Sequence, residues 1–146
     1  MDPKNIKMRV VYSSKKKKMA TFAMAVGEAF KCSFDTIPPA YPCEKERVVV
    51  LLMNGGNDPD DKLRLFCREL NAQRAYNVIL VVDGDKNAPA VSKVREILTE
   101  AGTNVVDDVY SVNGGAAGLI GMFNKSITLD ERRGIVNWVT STIEAL

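Results

Sequence analysis

Histidine is absent from this chain of 146 residues. Its absence removes the commonest general base and the commonest metal ligand from every mechanism. Cysteine is scarce, with three residues at Cys32, Cys43 and Cys67. Their number is odd, their spacing wide, and no CxxC occurs. A disulfide framework or a structural zinc site is therefore not expected, and a reducing compartment fits best. Long apolar runs are also lacking. The longest is Val48 to Met53, far short of the ~20 residues that span a bilayer. No charged segment followed by an apolar stretch opens the sequence. The expectation is a cytoplasmic protein with no membrane association.

What is present is ordinary for a globular domain: 46% hydrophobic and 26% charged residues. The length suits a single domain over residues 1–146. The net charge of +2 conceals an asymmetry. Residues 1–31 carry eight Lys or Arg against two Asp or Glu, and the rest of the chain carries twelve against sixteen. Most of that basic excess is one run, Lys15-Lys16-Lys17-Lys18. A single patch without interleaved aromatics is a poor footprint for nucleic acid, so none is expected as a partner.

Hydrophobic periodicity organises the chain into alternating strands and helices. Lys7 to Tyr12 reads as the first strand. A helix over about 16–30 follows, with Met19, Phe22, Ala23, Val26 and Phe30 on one face. Cys32 to Ile37 reads as a short strand, and Pro38, Pro39 and Pro42 hold an extended connection after it. Glu46 to Met53 and Asn77 to Val82 are continuous apolar runs, which suit strands buried on both faces. Between them Asp58 reads as a helix cap and Pro59 as its first turn, with Leu63, Phe66, Cys67 and Leu70 facing inward. A helix over about 88–101 stops at Gly102, and Asn104 to Val112 is the last strand. A glycine-rich stretch runs from Gly114 to Gly121. Thr128-Leu129-Asp130-Glu131 is a capping box opening the final helix, whose inner face is Ile135, Trp138, Val139 and Ile143. Such alternation argues for a parallel α/β sheet. Ligands then bind beyond the carboxyl ends of the strands, where the strand order reverses. Four loops qualify: 13–18, 54–58, 83–88 and 113–118.

Met8-Arg9-Val10-Val11-Tyr12-Ser13-Ser14, followed by Lys18-Met19-Ala20 and a helix, resembles the opening of the flavodoxin family. The short route through 37–46 to a strong third strand is also similar, as is Gly114-Gly115 after the last strand, where many relatives carry Gly-Lys. The resemblance covers nearly the whole chain. It implies a flavodoxin-like doubly wound α/β fold, a five-stranded parallel sheet of order 2-1-3-4-5 with helices on both faces. It also implies an FMN site at the switch point, built from Ser13, Ser14, Lys15, Lys16, Lys17, Lys18, Asn54, Gly55, Gly56, Asn57, Asp83, Gly84 and Asp85. The implied activity is electron transfer, as an FMN-dependent carrier or oxidoreductase with a redox protein as partner.

Three elements differ from the family pattern. The family loop Ser/Thr-x-Thr-Gly-x-Thr is here Ser13-Ser14-Lys15-Lys16-Lys17-Lys18, without glycine or threonine and about two residues shorter. The loops that sandwich the flavin ring read Asn54-Gly55-Gly56-Asn57-Asp58 and Asp83-Gly84-Asp85-Lys86-Asn87, without an aromatic. Three readings therefore stand open: FMN-dependent electron transfer with a divergent site, a degenerate relative serving as an interaction module, or a binder of another phosphorylated small molecule through Lys15–Lys18. The lysine run is either a phosphate site or a solvated loop. The Gly-Gly loop is either a close approach to a ligand or a tight turn.

Other chemistries find little support. Asp83-Gly84-Asp85 resembles part of the magnesium site of response-regulator receivers, which share this fold. A receiver carries acidic residues after the first strand and an acceptor Asp after the third, where this chain has Ser13-Ser14 and Asn54. No metal site is assigned. Gly114-Gly115-Ala116-Ala117-Gly118 follows the last strand rather than the first, so it is no dinucleotide fingerprint. Nucleophilic catalysis at Ser13, Ser14 or a cysteine would need lysine as the base. Cys67 and Cys32 read as packing residues, whereas Cys43, in the proline-rich connection, reads as the exposed thiol. No catalytic residue is assigned.

Overall fold

The structure is a computed structural model, described here over residues 1–112 and 127–146. In chain order the elements are β1 (Met8–Ser13), α1 (Lys17–Phe30), β2 (Phe34–Thr36), β3 (Glu46–Asn54), α2 (Asp61–Glu69), β4 (Ala75–Asp83), α3 (Pro89–Ala101), β5 (Asn104–Ser111) and α4 (Leu129–Glu144). The five strands form one sheet in the order β2-β1-β3-β4-β5, and every pairing is parallel. That is the order implied by the resemblance.

The apolar runs explain the centre of the sheet. Every residue from Val48 to Met53 and from Val78 to Val82 is buried. Successive strand side chains point to opposite faces, so one run supplies both layers. Val49, Leu51, Val78 and Leu80 pack under Leu63, Cys67 and Leu70 from the α2 region and Val91, Val94 and Leu98 of α3. Val48, Val50, Leu52, Ile79 and Val81 face Met19, Phe22 and Val26 of α1 and Ile135, Val139 and Ile143 of α4. Fully burying one such aliphatic side chain stabilises by about 1.5–3 kcal/mol relative to exposure. Among the described residues no helix is long and apolar enough to cross a membrane.

Helix ends follow local chemistry, with one correction. Thr128 and Glu131 form the expected capping box on α4. Gly102 ends α3 in the left-handed conformation, at φ 105°. The cap of α2, however, is Asp60, not Asp58: the Asp60 carboxylate accepts from the Leu63 amide at 2.8 Å. Pro59 therefore precedes the helix instead of forming its first turn. Asp58 is held away by Lys93 of α3 at 2.5 Å and by Arg64 at 3.3 Å. The hydrogen bond from Lys93, with its charge and that of Arg64, holds the Asp58 carboxyl below its ordinary range.

Two packing expectations also change. Cys43 is buried, because it plugs the proline-rich connection into the core beside Ile37 and Val11. Trp138 is only partly buried. Its ring lies 5.2 Å from that of Tyr110 on edge strand β5, tilted by 47°, at the margin of the core.

Candidate functional site

Parallel pairing brings the carboxyl ends of three strands level. Ser13 of β1 pairs with Met53 of β3, and Asn54 pairs with Asp83 of β4. The loops that leave these strands therefore converge, and glycine lets them meet. Gly56 and Gly84 have φ of 124° and 123°, a region that L side chains rarely adopt. Gly55 donates its amide to the Asp83 carbonyl at 2.9 Å, and a Cβ on Gly55 would sit 3.1 Å from that oxygen. Gly55 thus lets the loop from β3 to α2 approach the end of β4 closely.

The polar side chains of the site bond mainly to one another. The Ser14 hydroxyl donates to the Asn54 side-chain oxygen at 2.9 Å and accepts from the Lys16 amide at 3.1 Å. The Ser13 hydroxyl donates to Asp60 at 3.3 Å. The Lys16 ammonium reaches across to Asp83 at 2.6 Å. The Asp83 side chain is only 2% exposed while that of Lys16 is 61% exposed, so water screens one end of the pair. The Gly84 carbonyl accepts from Ser111 at 2.5 Å. The structure therefore joins Ser14, Lys16, Asn54, Gly55 and Asp83 into one network, with Ser13 bonded beside it to Asp60 and Gly84 to Ser111.

The remaining expected residues stand apart from it. Lys15 and Lys17 are exposed, and Lys18 lies 6.0 Å from the centre of the Phe22 ring. Asp85 closes its own turn by accepting from the Asn87 amide at 2.9 Å. The Asn57 carbonyl accepts from Lys93 at 2.8 Å. The lysine run straddles the start of α1: Lys16 is the N-cap, Lys17 and Lys18 lie in the first turn, and Lys15 precedes the cap. Loop 113–118, with Gly114, Gly115, Ala116, Ala117 and Gly118, lies outside the described residues.

Sequence reasoning missed Asp60, Lys93 and Ser111 as members of the site. Asp60 stands three residues before the apolar Leu63, the spacing of an N-cap. Lys93 and Ser111 carried no local signal, since only the fold brings their elements to these loops. Among the described residues no cluster of His, Cys, Asp and Glu could hold a metal ion.

No protein-family model matches the chain, and no curated protein matches it in sequence. In three dimensions it is similar to a flavodoxin from the domain Archaea: 12% identity, TM-score 0.54, 94% of this chain and 99% of that chain covered. It is also similar to the flavodiiron core Flv1 from Synechocystis sp. PCC6803: 9% identity, TM-score 0.55, 98% of this chain and 37% of that chain covered. These likenesses show a flavodoxin-like fold.

Proposed function

We propose that this chain is a flavin-independent protein of flavodoxin-like fold, an interaction module that acts by binding another molecule instead of carrying electrons on FMN. The observation that carries this reading is the Lys16–Asp83 pair of 2.6 Å, laid across the strand ends. A phosphate cradle offers hydroxyls, amides and positive charge to the ligand. Here the hydroxyls of Ser13 and Ser14 are turned to Asp60 and Asn54. The charge of Lys16 is matched by Asp83, and Asp60 adds a carboxylate that repels phosphate. A flavin ring needs flat apolar walls, and loops 54–58 and 83–88 present Asn, Gly, Asp and Lys apart from Ala88, which is buried. Among the described residues, these two loops offer a flavin ring no such wall.

A specific observation favours a second reading, a phosphorylated small molecule at the start of α1, FMN included. Lys16 gives α1 no side-chain cap, and its first turn holds no acidic residue. Its first amides and the ammonium groups of Lys15, Lys17 and Lys18 are then left for an anion. If that molecule were FMN, the cofactor would supply electron transfer and a redox protein would be the partner.

An FMN titration followed by flavin fluorescence, with riboflavin and inorganic phosphate as parallel arms, separates the readings. The expected result is no saturable quenching up to roughly millimolar FMN, an affinity weaker than about −4 kcal/mol. Saturation at micromolar FMN overturns the proposal. Thermal stabilisation by phosphate and FMN but not riboflavin, lost when Lys15, Lys17 and Lys18 are replaced by serine, supports the second reading.

A further inference from the structure

A cavity of about 310 Å³ lies away from that site, between the β2–β3 connection and α2. It runs along α2, from Lys62 in the first turn of that helix to Arg74, which gives its carbonyl to the first amide of β3, on Glu46. Pro38, Pro39 and Pro42 form one wall, Phe66 and Leu70 the other, and Cys43 lines it between them. Its volume, comparable to about ten water molecules in the liquid, is at the small end of ligand pockets.

The wall is held before any ligand arrives. Proline fixes its own φ. Ile37 and Cys43 anchor the connection in the core on either side of the prolines. Arg9 donates to the Tyr41 carbonyl and Lys7 to that of Glu44, which ties the connection to β1 and the chain just before it. A preformed apolar pocket loses less ordering entropy on binding than one that must be assembled.

The rim carries the charge. Lys62, Arg74 and Glu69 line the cavity, a surplus of one positive charge. Neither the Lys62 nor the Arg74 side chain forms an ion pair among the described residues, whereas Arg9, Arg64 and Arg95 each do. Arg74 is partly buried, so a carboxylate on it is sheltered from water. Its field reaches the cavity wall. Burial raises the pKa of the Cys43 thiol and Glu46 adds to the rise, while Arg9 and Arg74 oppose it.

We propose that this cavity binds a small amphipathic carboxylate, with its short apolar body between the prolines and α2 and its carboxylate on the Arg74 guanidinium. Arginine presents a planar fork of donors that matches a carboxylate in two places. Leu65 stands at the mouth with 55% of its surface exposed, an apolar edge that a ligand covers. The proposal does not depend on the flavin-independent reading, because the two sites share no residue.

A backbone-amide NMR titration of the full chain with octanoate, octylammonium and octanol tests it. Octanoate is expected to shift amides in 40–43 and 62–74 saturably, and octylammonium to leave them unmoved. Arg74→Gln is expected to weaken octanoate about tenfold, the loss of one charge-assisted contact, while the octanol response stays as in the parent. Leu65→Asp, at an exposed position, is expected to weaken both. Absence of saturation up to roughly millimolar octanoate, equal binding of octylammonium, or an Arg74→Gln protein that binds like the parent overturns the proposal.

Discussion

Two regions beside the sheet are built on opposite principles. At the carboxyl ends, Ser13, Ser14, Lys16, Asn54 and Asp83 converge and bond among themselves or with Asp60. Along α2, three prolines and the helix enclose apolar space, and Lys62 and Arg74 line it without ion-pair partners among the described residues. The first region holds polar groups that already serve one another. The second holds walls and charge that still lack a counterpart. A concentration of polar residues at a fold's usual ligand position is therefore weak evidence for a ligand, because such residues readily satisfy their own hydrogen bonds.

The largest expected effect comes from breaking the apolar region. Leu70 is buried and lines both the core and the cavity. Leu70→Ala is expected to lower unfolding free energy by about 2–5 kcal/mol in urea denaturation, because the void adds to the lost burial. A loss below about 1 kcal/mol would mean that the cavity collapses onto the gap, and that its wall is not rigid.

A smaller effect is expected at the polar end. Lys16→Met leaves the Asp83 carboxylate buried without its cation. Removing one partner of a fully buried pair costs about 3–5 kcal/mol. Solvent reaches the lysine here, so about 2 kcal/mol is expected. Adding Asp83→Asn should recover part of it, and a double-mutant cycle in urea reads the coupling. Zero coupling would show that Lys16 is a solvated lysine and that the loop stays open to an anion.

The smallest effect sharpens the comparison through pH. Burial pushes the Cys67 thiol from 9.0 to about 12, and burial, with the Glu46 charge adding to it, pushes Cys32 to about 11. A raised thiol pKa means that the folded state keeps a proton the unfolded chain releases. Stability is then fully present below pH 9.0 and falls as pH rises toward about 12. At pH 10 the Cys67 contribution is expected to be about 1 kcal/mol. A Cys67→Ala protein should show a shallower alkaline decline, and the same slope in both proteins would place Cys67 in contact with water.

Much of the fold was legible in the chain. The runs 48–53 and 78–82 signalled strands covered on both faces, and the strand–helix alternation signalled parallel pairing. Helix stripes such as Met19, Phe22, Ala23 and Val26 were legible because burial repeats at the helical period. Errors arose where neighbours in space decide. Asp58 is as good a capping residue as Asp60, and only Lys93 and Arg64 draw it elsewhere. Cys43 sits among polar and proline residues in sequence, and only the fold of the connection turns it inward. Trp138 keeps the helical spacing of the core, but it meets Tyr110 of the edge strand β5 there and stays only partly buried.

The same division holds for the site. Positions 13–18, 54–57 and 83–85 could be named in advance, because a parallel sheet puts its loops at the strand ends whatever they contain. Their bonding could not, since Lys16 and Asp83 are 67 residues apart. The sequence by itself determined the architecture, because burial and backbone period are local and repeat along the chain. Only the tertiary structure decided which charges beside the sheet are matched and which remain open, because pairing depends on distances of a few ångströms between elements far apart in the chain.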